Sequence, residues 1–151
     1  MRIYKLNKYD ILECMRYLAI DYGRRNIGIA VSDKGGTLAF PHTIITNDST
    51  ALTQVMHVIG GHTVERIIVG DTRADNGTHN EITADMGRFA EALEQESGIP
   101  VEYASESWSS FEAARYAPGD VHDDSVAAAI ILQRFIDMHA NNIEVSNDEL
   151  E

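Results

Sequence analysis

Hydrophobic and polar positions along this chain change period several times, and each change marks an element. Arg16–Asp21 and Ile27–Asp33 are apolar runs on either side of a tight turn at Gly23, which predicts two paired strands. Gly35-Gly36 turns the chain into a third strand, Leu38–Thr46, and Pro41 within it points to an edge strand or a bulge. Asn47-Asp48-Ser49 then caps a predicted helix whose apolar positions Leu52, Val55, Met56 and Ile59 follow helical spacing up to Gly60-Gly61. Arg66–Gly70 is short and apolar throughout, as expected of a parallel strand covered on both faces. Thr78 and Glu81 form a capping box that opens a second helix, with Ile82, Met86, Phe89 and Leu93 on one stripe and Gly98 as its stop. Ile99–Ser105 reads as a fifth strand, and Ser109-Ser-Phe-Glu112 opens a short helix to Tyr116. The last helix starts near Asp123 and is expected to bury Ala127, Ala128, Ile131, Leu132 and Phe135.

The order β-β-β-α-β-α-β-α-α predicts an α/β protein with a mixed five-stranded sheet, antiparallel first and built from crossover units afterwards. Residues 15–140 are expected to form one domain. Met15 stands directly before the first strand, so residues 1–14 read as a poorly ordered extension, and 141–151 as an acidic, disordered tail.

The apolar content of 44% and charged content of 24% are those of an ordinary globular chain. No apolar run is long enough for a bilayer span, and the N-terminus lacks the uninterrupted apolar core of a secretory signal. Cys14 is the one cysteine, which excludes an internal disulfide and suits a reducing cytoplasm. Charge narrows the choice of partners. Twelve Lys and Arg against 24 Asp and Glu give −12, with Glu144, Asp148, Glu149 and Glu151 in the tail. A general nucleic-acid coat is basic, because phosphate neutralisation supplies most non-specific affinity. Nucleic acid would therefore be held through a small local patch or with the help of a metal; the alternative is an acidic protein that avoids it.

Three acids stand where structure alone explains them poorly. Asp21 ends the apolar run Leu18-Ala19-Ile20, and a carboxylate there needs a partner: a metal ion, a basic side chain or backbone N–H groups. Glu106 follows the fifth strand, and Asp124 opens the last helix beside Asp123. Strand ends and helix starts at one edge of an α/β sheet share a crevice. Carboxylates brought together there repel unless cations hold them, and oxygen ligands suit Mg²⁺ or Mn²⁺. Two such ions can activate water and stabilise the leaving oxygen of a phosphodiester. Each acid also has a plainer role, Asp123 and Asp124 as cap and first-turn acids and Glu106 as a solvated loop acid.

The segments LAIDYGRRNIGIAVSD, IIVG, NGT, ESWSS and HDDSVAAAIILQRF, spread from Met15 to Asp137, resemble the YqgF/RuvX family. Its members are described as Holliday-junction-resolvase-like nucleases, also assigned to maturation of precursor small-subunit ribosomal RNA, on an RNase H-like fold. The resemblance implies a catalytic, metal-binding triad of Asp21, Glu106 and Asp124. It also implies a structured RNA or branched DNA as substrate. The chain departs from the family pattern at three places. Ser105 and Ser107 replace an acid and an arginine around Glu106, the loop Gly70–Thr78 keeps only its glycines and threonine, and Ala117–His122 carries no Lys or Arg.

Further candidates are Asp71 and Asp123 as additional metal ligands, and His122 as a ligand or proton shuttle. Arg24, Arg25, Arg73 and Arg115 are candidate phosphate contacts. Two other functions compete with a nuclease. One is a binding module that kept the fold and lost the chemistry, favoured by the stripped loop. The other is an ATP-handling domain of the actin and sugar-kinase type, which also begins Asp-x-Gly between strands but needs two lobes, hence an obligate dimer. Oligomeric state, including a homodimer, stays open at this level. Cleavage lost on Asp21→Asn separates nuclease from module, and stabilisation by ATP without cleavage marks the third.

Overall fold

The computed structural model describes residues 16–71, 81–105 and 123–148. Five strands form one sheet: β1 (Arg16–Tyr22), β2 (Asn26–Ser32), β3 (Ala39–Thr46), β4 (Val64–Asp71) and β5 (Val101–Ser105). Their spatial order is β3-β2-β1-β4-β5. β1 pairs antiparallel with β2, and β2 with β3, while β4 runs parallel to both β1 and β5. The mixed sheet expected from the element order is therefore present. Helices α1 (Ala51–Gly60), α2 (Glu81–Ser97) and α3 (Asp124–Asp148) complete it.

Alternation along the strands sorts side chains into two layers. Leu18, Ile20 and Tyr22 of β1, Ile27 and Ile29 of β2, and Ile67 and Val69 of β4 pack with α1 and α2 residues Val55, Ile59, Met86 and Leu93. Ala19, Ala30 and Ile68 face the other way, onto Ala128, Ile131, Leu132 and Phe135 of α3. β3 is an edge strand. Ile29 pairs with Thr43 and Ala30 with Pro41, so His42 is the extra residue of a bulge. Proline sits at that break, where no ladder donor is lost.

The β2–β3 turn shows why Gly35-Gly36 was a readable signal. Gly36 adopts φ 65°, the left-handed region that disfavours a side chain. The Asp33 carboxylate accepts from the Thr37 and Leu38 amides at 2.7 and 3.1 Å and from the Thr37 hydroxyl at 2.8 Å. Gly98, at φ 69°, ends α2 as expected, its N–H donating to Glu94 O at 2.9 Å.

Three expectations need correction. The start of α1 is not capped by a side chain of the Asn47–Ser49 run. Thr50 holds the cap position without a side-chain bond, and Asp48 instead accepts from the Thr50 amide and hydroxyl at 2.8 and 2.6 Å. The burial stripe of α3 is rotated slightly, with Ala129 and Ile136 buried and Ala127 only partly so. Finally, α3 continues to Asp148, through residues assigned to a disordered tail. Nothing between Asp124 and Asp148 is proline or glycine, so no residue forces the helix to stop. The expected short helix after Ser109, Thr78 of the α2 capping box, and residues 1–14 lie outside the described residues.

Candidate active site

The parallel pairing of β1, β4 and β5 brings their carboxyl ends to one rim of the sheet. Asp21 is the penultimate residue of β1, and Asp71 closes β4, its backbone paired with Ser105 at the end of β5. The turn after β1 is closed by the Gly23 amide donating to Asn26 O at 3.0 Å. A Cβ on Gly23 would meet that same oxygen at 2.7 Å, so only glycine fits.

The decisive contact involves Gly28. It is the cross-strand partner of Asp21. A Cβ built on it would lie 1.9 Å from Asp124 O, 2.2 Å from Asp124 C and 2.9 Å from Asp124 Cβ. The first residue of α3 thus occupies the space where a side chain at position 28 would stand. Directly opposed residues of an antiparallel pair project to the same face, with Cβ positions about 4.5–5.5 Å apart. Asp21 also shares its parity with Ala19, which packs against α3. The Cβ atoms of Asp21 and Asp124 are therefore within about 8 Å of each other on one face, close enough for two carboxylates to share an ion. Both residues are half-buried, and both take part in interactions with their surroundings.

Asp123 has a separate task. Its Oδ1 accepts from the Ser125 amide at 2.9 Å and the Ser125 hydroxyl at 2.5 Å, while its carbonyl accepts from the Val126 and Ala127 amides. This is an N-cap. The Ser125 hydroxyl bond, ahead of a small opposing burial effect, holds the Asp123 carboxyl below its ordinary range. Arg24 and Arg25 are exposed in the β1–β2 turn at the same rim. Glu106, His122, Arg73 and Arg115 lie outside the described residues. Among the described residues no group of three or more His, Cys, Asp or Glu side chains could hold a metal. Two carboxylates at the rim supply hard oxygen donors, but a third must come from elsewhere in the chain.

Sequence reading passed over Gly28. The signal was a glycine inside the otherwise apolar strand Asn26-Ile-Gly-Ile-Ala-Val-Ser32, the usual mark of a close backbone approach.

A mixed sheet in the order β3-β2-β1-β4-β5 with acids at its rim defines an RNase H-like protein, and solved structures agree on the fold. Thermus thermophilus RuvC superposes with a TM-score of 0.58 at 14% identity, over 84% of this chain and 97% of RuvC. The same protein in complex with a Holliday junction substrate gives 0.57 at 17%, over 83% and 96%. The chain belongs to the RuvX family, described as Holliday junction resolvase, whose model matches residues 15–138. A relative from Bordetella petrii, named "Putative pre-16S rRNA nuclease", is 35% identical over 80% of this chain and 93% of its own length. Family membership places the chain among resolvase-like nucleases. No helix among the described residues is long and apolar enough to cross a membrane.

Proposed function

We propose that this protein is a metal-dependent endonuclease that hydrolyses phosphodiester bonds in structured nucleic acid, at a site formed by Asp21, Asp124 and Glu106. The observation that carries this reading is the seating of Asp124 on Gly28, the strand partner of Asp21. Two acids more than 100 positions apart would have no structural reason to meet so closely at a sheet rim. Mg²⁺ or Mn²⁺ held by these carboxylates would supply charge neutralisation and an activated water. Asp21, on the central strand, anchors the site. Asp124 is positioned by the helix start that Asp123 caps, and Glu106 follows β5 at the same rim. Asp71, at the end of β4, is a further carboxylate available to this site. Arg24 and Arg25, with Arg73 and Arg115, are the cations that would meet phosphate in a protein of net charge −12.

The relative's name favours the 5′ end of precursor 16S rRNA as substrate; the family description favours a four-way DNA junction. A cleavage panel containing both, with Mg²⁺ or Mn²⁺, tests the reading. Cleavage of one substrate should fall at least about 100-fold in Asp21→Asn, beyond the range typical of losing an outer partner of a metal ligand. Wild-type protein that binds but cuts neither would establish the competing reading of a binding module, which the acidic charge balance favours.

A further inference from the structure

We infer that the cleft on the opposite face of the rim from Asp21 and Asp124 is a binding site for an unstacked guanine base. This rests on reading the protein as one that acts on nucleic acid. The cleft holds about 220 Å³ between the β1–β2 turn and the start of α2, and it is lined by Tyr22, Arg24, Asn47, Glu81, Ile82 and Asp85. Tyr22 directly follows Asp21 and projects to the other side of β1, its ring 5.4 Å from Phe89. A strand with a phosphate at Asp21 crosses the turn at residues 23–25, and a neighbouring base reaches the cleft by folding over that edge.

The lining suits a flat heterocycle with donors on one edge and acceptors on another. Tyr22 and Ile82 supply aromatic and aliphatic surface for a base. The turn that carries Arg24 is held in place by Asn47, whose side-chain amide donates to Gly23 O and whose backbone amide donates to Arg25 O, both at 2.8 Å. Asp85 is paired with Arg88, so Glu81 is the carboxylate the cleft offers to a ligand. Guanine presents O6 and N7 acceptors to an arginine. Its N1–H and N2–H₂ donors lie side by side, matching the two oxygens of a carboxylate. Adenine and cytosine set a ring acceptor beside their amino group, and uracil sets its single N–H between two carbonyls. Each leaves the carboxylate facing an acceptor, which is unfavourable.

The guanine could belong to a strand or to a free nucleotide, and titrations of the full-length protein separate the two. GMP, AMP, CMP and UMP form one arm. Oligouridylates carrying a single central G, A or C form the other, with affinity read by NMR shifts or fluorescence anisotropy. Guanine should bind at least about tenfold tighter than any other base, the scale of one bidentate base contact. Glu81→Gln should erase the preference, while Asp21→Asn should keep it. A preference confined to the oligonucleotides assigns the cleft to a strand; an equal preference among the mononucleotides assigns it to a free nucleotide. Equal binding of all four bases, or a preference that survives Glu81→Gln, overturns the inference. Intact cleavage with base-indifferent binding sinks the guanine site alone, whereas guanine binding without cleavage sinks only the nuclease reading.

Discussion

The two faces of the sheet are built from side chains of different size, and the difference separates stability from chemistry. Toward α1 and α2 the strands present Leu18, Ile20, Ile27, Ile29, Ile67 and Val69, all large and almost fully buried. Toward α3 they present Ala19, Gly28 and Ala30, with Ile68 the one large side chain among the buried strand residues of that cluster. Bulk on the first face removes the most apolar surface from water. Small residues on the second let a single helix approach until its first residue touches the strand backbone. Acids meet only on the face where side chains are small enough to let them.

Substitutions on the two faces should therefore act differently. Leu18→Ala leaves a cavity in the large-residue layer and should cost about 2–5 kcal/mol in urea unfolding. The fraction still folded should retain its cleavage rate; a specific activity that falls with stability would erase the distinction between the faces. Gly28→Ala places a methyl 1.9 Å from a backbone carbonyl that cannot rotate away, which displaces the start of α3. Its stability loss should be smaller, about 1–3 kcal/mol. Its loss of cleavage should nevertheless approach that of Asp21→Asn, and normal activity in a folded Gly28→Ala protein would show that Asp124 need not sit there.

Asp123→Ala sharpens the comparison within one helix turn. Removing this cap should cost about 0.5–2 kcal/mol and leave metal affinity nearly unchanged. A collapse of metal binding would instead make Asp123 a ligand. Asp123, with its pKa held low by the Ser125 bond, contributes stability that is present above the ordinary aspartate value of 3.8 and is lost as pH falls through its lower folded value. In Asp123→Ala the acid limb of the stability curve should flatten.

The smallest effect belongs to the edge of the sheet away from the site. The His42 and His62 rings meet edge-on with centroids 5.1 Å apart. Burial, and then the neighbouring His62 charge, hold the His42 pKa below its ordinary 6.5. The folded state therefore binds fewer protons than the unfolded chain between the lowered value and 6.5. Stability is unaffected above 6.5 and declines as pH drops below it. His42→Asn should remove that decline, as read by thermal unfolding at pH 7 and pH 5.

Much of the fold was legible because local chemistry agreed with the long-range structure. The apolar run ending in Asp21, the turn at Gly36, the bulge at Pro41 and the stop at Gly98 each leave a mark within a few residues. The site was legible only in part. Asp21 stood out because an acid ending an apolar strand is costly without a partner. Asp124 looked the same as its neighbour Asp123 in sequence, and only the seating of α3 on Gly28 separates the residue at the rim from the one that caps the helix. That contact joins positions 28 and 124, and no local pattern encodes it. The length of α3 was misjudged for the opposite reason: polar composition around Asn141 and Asn142 suggested disorder, although no helix breaker stands there.

Sharing of one cation by Asp21 and Asp124 can be seen directly in crystals soaked with Mn²⁺ and measured near the manganese absorption edge. An anomalous peak should lie between the two carboxylates, about 2.0–2.3 Å from an oxygen of each. A peak bound elsewhere, with the two side chains turned to separate environments, would contradict the account.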